Sequence, residues 1–527
     1  MKKINSFFTI LFFLLFFFTN HYKASAQFEI NWQFCYGESV VDGAYCSLLT
    51  EDGYLVGGEI STEATLLKLD FQGNLIWQKT YGTDTHSGSI RRIVATSSGD
   101  LYLIGLYDFI NNNERSLITQ FGVHKVDAQG EILWHKTYGA ASTTDRLSSA
   151  ILTHDGGLVI GGSITSGGGD VSMYYGIRDA WIVKIDSLGN ILWDFTIGSG
   201  GGEFTATILE TSEQKLLVAI DNSHVYGETN INCDNTYWEG TLFMLDANGQ
   251  ELWQNCYGGT YADLFNDIYE LDDGFLLLGS SESNDGDLEG AGCHYTGPTE
   301  PTSDFWLSKI DFEGNMLWSK CYGGYNRDHG NQIIPYRNDE FLLIGDAFSH
   351  SGDVSGNNSY TGRSDIWVVK VNSTGELIWQ QCLGGLGSDW LYSNVVRNGD
   401  KYFFPGHSRE GTQPNTGMVN CDPQGRFYMW MFEATDITVG LPANSDRPAF
   451  LSVVPDAYGQ AMAFRRSSQQ QEQGTISISD INGRFIAGIP INSEAAVWDC
   501  SRISNGVYFY QYHCGKHYES GKVLVRR

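Results

Sequence analysis

The chain has 527 residues, enough for a large core, and 62 Gly against 10 Pro with 13% aromatics is not the composition of a helical bundle. Charged residues make up only 18%, which excludes a charged disordered polymer. The formal charge of −29 excludes nucleic acid as a partner, because a phosphate backbone needs a basic face.

Residues 1–26 read as a secretory signal peptide. Lys2 and Lys3 open it, Phe7 to Thr19 form an apolar run, and Ala24-Ser25-Ala26 supply the small residues a signal peptidase admits, with Gln27 the expected mature start. The apolar run is too short to span a bilayer as a helix, which needs about 20 residues. No other segment is long and apolar enough, so the mature chain is expected outside the inner membrane without a transmembrane segment.

Self-similarity dominates residues 27–433. The segments Trp32-Gln-Phe-Cys-Tyr-Gly37, Trp77-Gln-Lys-Thr-Tyr-Gly82 and Trp134-His-Lys-Thr-Tyr-Gly139 share one signature, which recurs at Trp193, Trp253, Trp318 and Trp379 and in a degenerate copy at Trp430. The third unit shows four extended pieces: Leu147 to Leu152, Leu158 to Gly161, Ala180 to Ile185 and Ile191 to Trp193. Asp155-Gly156-Gly157 and Ser187 to Asn190 turn between them. Alternation at period two with Gly, Asn and Asp at the turns is the hairpin pattern, and nothing repeats at 3.6. Four strands per unit and seven units predict an all-β chain whose residues 27–433 form a seven-bladed β-propeller. The segment around Trp32 or Trp430 would complete one shared blade. A parallel β-helix is the alternative architecture, with shorter rungs.

In each fourth strand Trp and the residue four on share a face, read as packing between blades. The opposite face carries Cys35, Cys256, Cys321 or Cys382 where other units have Thr. That equivalence suggests a buried slot of packed free thiols rather than a disulfide framework, although an exported chain permits disulfides. Cys233–Cys293 and Cys500–Cys514 stand as candidate bridges.

An acidic residue recurs ten positions after the repeat Trp, at Asp42, Glu203, Asp263, Asp328 and Asp389, with Asp145 one residue later and Ser87 in the second unit. Blade rotation should set these near one mouth of the central channel. Either each caps backbone N–H groups in the turn entering the first strand, or the ring forms a site for a cation or a positively charged ligand. A second acidic feature, Ser283-Asn-Asp-Gly-Asp287, recurs near Asp353 and Asp170. Asp285 and Asp287 sit in what first looks like a calcium loop, but the twelfth position is Thr296 rather than Glu, so the helix-loop-helix motif fails. Asx-turn chemistry and weak calcium binding are the two readings. Nucleophile-elbow, zinc-protease and phosphate-loop motifs are missing.

After Trp430 the repeat stops, residues 434–448 form a polar connector, and residues 449–527 carry alternating runs at Thr475 to Ser479, Gly506 to Tyr512 and Lys522 to Arg526, read as a small β-sandwich. Val453-Val-Pro455, Ile476-Ser-Ile-Ser-Asp480-Ile-Asn482-Gly483-Arg484, Ser504-Asn505-Gly506-Val-Tyr508-Phe-Tyr510 and Gly521-Lys522-Val-Leu-Val-Arg-Arg527 form an ordered set. It resembles the type A C-terminal sorting domain of the type IX secretion system of Bacteroidota. The family's early Asn-Pro pair appears here as Pro455-Asp456. The resemblance implies export across the inner membrane on the signal peptide, then delivery by the secretion machinery to the medium or the outer cell surface. The resulting expectation is a secreted or surface-displayed binding or adhesion propeller for an unidentified glycan or protein. The alternatives are a polysaccharide hydrolase or lyase using channel-mouth carboxylates, and a structural spacer.

Overall fold

The computed structural model describes residues 28–36, 42–82, 88–110, 117–140, 145–223, 227, 229–233, 239–295, 297, 302–337, 339–359, 362–391, 394–409, 427–436, 451–455, 461–466, 474–480, 485–491, 495–504, 506–514 and 517–525. The signal peptide and residues 437–448 of the connector lie outside them. Among the described residues the only helical element is one 3₁₀ turn, Gly286–Leu288, and no helix is long and apolar enough to cross a membrane.

Strand β1 (Phe28–Tyr36) precedes the first complete blade, which is β2 (Gly43–Thr50), β3 (Gly53–Ile60), β4 (Glu63–Leu69) and β5 (Leu75–Thr80), paired antiparallel in that order. The pattern repeats as β6–β9 over 88–138, β10–β13 over 146–197, β14–β17 over 202–257, β18–β21 over 263–322 and β22–β25 over 328–383. The seventh blade has a broken inner strand, β26 (Ser388–Trp390) and β27 (Val396–Asn398), then β28 (Lys401–Arg409) and β29 (Phe427–Asp436). Its fourth strand is β1, pairing antiparallel with β29 from Phe28↔Asp436 to Tyr36↔Met429. The ring therefore closes with its first strand, and β29 runs three residues into the stretch read as connector.

The burial pattern follows from stacking blades face to face. In the third blade β12 (Asp179–Ile185) is buried at every position, because neighbours cover both faces, whereas β13 (Ile191–Ile197) begins exposed on the outer rim. The signature residues join one blade to the next. Tyr81, Tyr138 and Tyr257 donate to the carbonyls of Gly130, Gly189 and Gly314 at 2.9, 2.8 and 2.6 Å, and Tyr36 and Tyr322 do the same to Gly73 and Gly375. Each acceptor lies in the hairpin between the third and fourth strands of the following blade. At Gly189 φ is +76°, and an added Cβ would fall 2.9 Å from the Trp134 ring, so the turn needs glycine for its backbone and for ring packing. The hairpins are pinned by a recurrent aspartate: Asp186 Oδ1 accepts the N–H groups of Leu188 and Asn190, as Asp70, Asp246 and Asp311 do in their own blades.

The terminal residues form two further sheets. One is β30 (Leu451–Pro455), β31 (Ala461–Arg466) and β34 (Ala495–Asp499). The other runs β33 (Phe485–Ile491), β32 (Gly474–Asp480), β35 (Gly506–Cys514), β36 (His517–Val525). Phe464 and Tyr510 meet edge to face at 5.2 Å between the sheets, within a core that includes Ile476, Trp498, Tyr512 and Val523. Of the sorting-motif residues, Pro455 ends β30, Asp480 ends β32 opposite Tyr508, Gly506 opens β35 and Lys522 lies in β36 opposite Phe509. Tyr508 donates its hydroxyl to the Ser504 carbonyl at 3.0 Å. Asn482, Gly483 and Asn505 lie outside the described residues.

Candidate functional site: the channel mouth

The six recurrent acids stand where each chain segment enters a first strand, and all are buried, with 0% to 1% of their surface exposed. Five of them turn back on the loop before them. Glu203 accepts from Ser199 N and Oγ, Asp263 from Gly259 N, Asp328 from Gly324 N and Asp389 from Gly385 N, all four residues upstream, while Asp145 accepts from Ala140 N. Asp42 accepts from Ser61 N. This is backbone capping, and buried carboxylates cannot meet a polymer arriving from solvent.

A second set of acids was not picked out from the sequence. Asp179, Glu239, Asp304 and Asp365 begin the third strands of four successive blades and are equally buried. Each lies against the capping acid of the next blade. Burial, and then the facing carboxylate, push Glu203 up to about 8 and Asp365 up to about 8; the same two causes raise Glu239 to about 7. Burial likewise raises Asp179, Asp263, Asp328 and Asp389 to about 6. Asp179, Asp304, Asp365 and Asp389 each keep one buried oxygen without a hydrogen-bond partner. The glycine closing the Tyr-Gly signature makes room for these groups: a Cβ on Gly323 would sit 2.2 Å from Asp304 Oδ1, and one on Gly384 2.3 Å from Asp365 Oδ1.

The Asp-Gly loops are clasps. Asp285 accepts from Thr260 N at 2.8 Å and from its hydroxyl, and Asp287 Oδ2 accepts from Gly258 N at 3.0 Å while Asp287 N donates back to the Gly258 carbonyl. Asp353 with Gly323 and Asp170 with Gly139 repeat this two-way pairing. Asn230 does it with Gly198. A neutral amide filling the same role means that the geometry needs an acceptor, not a charge, which favours the Asx reading over calcium.

The slot cysteines correct the expectation of packed free thiols. Cys256 is bonded to Cys233 and Cys321 to Cys293, and Cys35 is also disulfide-bonded, so the candidate Cys233–Cys293 pair does not form. Cys500 is buried and outside any disulfide, so it does not bridge to Cys514; Cys46 and Cys382 are not bridged either. The reason is local: the slot faces the loop between the second and third strands of its own blade. Where the slot holds Thr196, the hydroxyl ties the same loop by donating to the Met173 carbonyl at 2.9 Å. Among the described residues the one acid-and-sulfur group compact enough for a metal is Cys233, Glu239 and Cys256, whose sulfurs are committed to each other. Closing a loop with a sequence separation of 23, the Cys233–Cys256 bond should contribute about 2–4 kcal/mol. Cys256→Ser is expected to lower the urea midpoint accordingly, while Cys382→Ser shifts it less.

What remains at the mouth is the channel wall. The innermost strands of successive blades pack side by side around the axis. Each carries an irregularity at the same level: between Ala44 and Cys46, Ile90 and Arg92, Leu147 and Ser149, Glu203 and Ala206, Phe265 and Asp267, and Gly330 and Gln332. Such bulges turn side chains out of the ladder. Neighbouring blades are laced here: Arg92 donates to the Ser148 carbonyl, Thr207 to that of Asn266 at 2.9 Å, and Asn266 to that of Gly330 at 2.8 Å. Arg91 lies 3.6 Å above the Tyr45 ring, and Tyr45 neighbours His407, on which Trp390 stacks. Further round, Arg178 lies 5.2 Å over Phe204 and donates to Ser163 Oγ, whose residue pairs in the ladder with exposed Arg146.

No protein-family model and no curated protein sequence matches the chain. Among solved structures it is similar to one of two prolyl endopeptidases, at 11% identity and TM-score 0.39, over 90% of this chain and 55% of that one. It is also similar to the phage phi92 endosialidase, at 10% identity and TM-score 0.36, over 92% of this chain and 85% of that one. A third is the β-xylosidase/α-arabinofuranosidase from a compost microbial metagenome, at 10% identity and TM-score 0.28, over 55% of this chain and 90% of that one. The chain thus spans just over half the length of the prolyl endopeptidase.

Proposed function

We propose that this protein is an exported β-propeller that binds a ligand outside the cell at its channel mouth, and that its terminal sandwich is the address read by a type IX secretion machinery. The observation that carries the reading is the closure of the ring by β1 on β29: it completes the propeller without the last 77 residues, whose described strands form two sheets of their own around a separate core. A terminal module built in this way suits recognition and removal by an export apparatus, and the connector before it suits a processing protease. The burial of all six capping acids supports binding rather than hydrolysis, since glycoside cleavage asks for two carboxyl groups roughly 5–10 Å apart around an accessible bond. Deletion of residues 451–527 in the native bacterium is expected to hold the propeller in the periplasm, read by fractionation and blotting; unaltered delivery to the surface or medium would overturn the export reading.

A further inference from the structure

We infer that the channel mouth across the second, third and fourth blades binds an acidic polysaccharide, its carboxylate or sulfate groups held by Arg91, Arg146 and Arg178. This deepens the binding reading above and rests on it. The first observation is how the cations divide. Nine lysines, among them Lys79, Lys125, Lys184, Lys309 and Lys370, form ion pairs with Asp or Glu. In a chain with 62 acids, Arg91, Arg92, Arg146 and Arg178 form no ion pair among the described residues, and neither do Arg327, Arg337 and Arg397 in the sixth and seventh blades; what sets the first group apart is its clustering on the second and third blades. Arg91 and Arg92 stand at the bulge in the middle of β6 (Gly88–Ala95), Arg146 opens β10 (Arg146–Leu152) and Arg178 lies just before β12.

The second observation is that the guanidinium groups are positioned for a ligand. Arg91 is fixed by the Tyr45 face and by Ser89 Oγ at 2.9 Å, and Arg178 by the Phe204 face and by Ser163 Oγ at 3.2 Å. Few of their N–H donors are used, and a planar fork held on a ring loses little entropy when it meets a carboxylate or sulfate. Arg146 stands exposed between them, close enough to Arg178 that burial and then this like charge lower the Arg178 pKa, an effect the neighbouring Asp145 partly offsets. Three cations without an ion-pair partner, one on the second blade and two on the third, match a ligand with anions at intervals along a chain. The guanidinium groups lie against aromatic faces, Tyr45 under Arg91 and Phe204 under Arg178, on which a sugar ring could also pack, and this favours a glycan over an acidic peptide. The −29 charge of the whole chain repels any broad polyanion, so only a slender chain entering the mouth would be held.

The test titrates the full chain with polygalacturonate oligomers, a sulfated galactan, dextran, poly-glutamate and whole bacterial cells at low and raised salt. Micromolar binding of an acidic glycan is expected, weakened at least tenfold in Arg146→Ala/Arg178→Gln and unchanged in Lys79→Ala on the outer rim, with a shallower salt dependence in the double variant. Matching melting curves of the variants exclude misfolding. The two acidic-glycan arms separate carboxylate from sulfate as the preferred anion. No acidic-glycan binding, equal binding by the double variant, or equally tight binding of poly-glutamate each overturns the inference. Binding of dextran alone, or of whole cells without salt dependence, overturns it while leaving the broader binding reading standing; failure with every glycan and with whole cells overturns both.

Discussion

Removing Phe28–Tyr36 is expected to abolish cooperative folding of the propeller. This strand is the fourth of the seventh blade, and without it β29 presents an unpaired edge of ten residues, a template for pairing with other chains. Its leading residue is also part of the core: Phe28 is buried against Trp379, Tyr402 and Phe404, with ring centroids 5.1–6.0 Å apart. Gln381 of the sixth blade holds the Phe28 backbone from both sides, accepting its N–H at 2.9 Å and donating to its carbonyl at 3.3 Å. Phe28→Ala alone should cost about 3 kcal/mol or more. The truncated chain should elute as aggregate and show no sharp urea transition by tryptophan fluorescence, with Phe28→Ala shifting the midpoint to an intermediate value. A truncated chain that stays monomeric and unfolds at the wild-type midpoint would show that the ring does not depend on this closure.

The second large effect concerns pH. Glu203 and Asp365, each raised to about 8, hold protons in the folded chain that the same groups release when unfolded above about pH 4.5. A raised folded pKa gives stability that is full below the unfolded value and lost as pH climbs through the folded one. Stability should therefore fall between pH 5 and 8, by on the order of 3 kcal/mol. Glu203→Gln with Asp365→Asn should flatten that decline, because the amides keep shape and carry no charge. Thermal melts at half-unit pH steps measure it; a double variant with the parental slope would place the pH dependence elsewhere.

Blade number and closure were legible in the sequence because the Trp-Tyr-Gly signature is chemistry repeated from blade to blade: five tyrosine hydroxyls meet the glycine carbonyl of the same hairpin in the next blade, and among the seven full copies only Ile197 and Leu383 replace the tyrosine. Eight copies around seven units also anticipated a shared blade. The role of Asp263 or Asp389 was not legible, since an acid at a turn has the same spacing whether it faces water or Gly259 and Gly385 N–H groups; only burial distinguishes them. The disulfides were misread for a related reason. Thr and Cys alternate at the slot because both tie down one loop, and the returning Cys233 and Cys293 sit in loops whose length hides the match. The arginine arc was invisible because Arg91 lies on the second blade while Arg146 and Arg178 lie on different strands of the third, and no spacing in the sequence marks them as neighbours.

The seam between β1 and β29 has a mechanical implication. Their antiparallel register sets Phe28 opposite Asp436, so both ends of the toroid leave from one point on its circumference. Tension between those ends would open the backbone bonds in succession, like a zipper, instead of loading them all in shear. A translocating motor that drew on the tail while the leading end was held would thus meet little resistance at that seam, whereas a traction applied across any other junction would have to pull whole sheets apart.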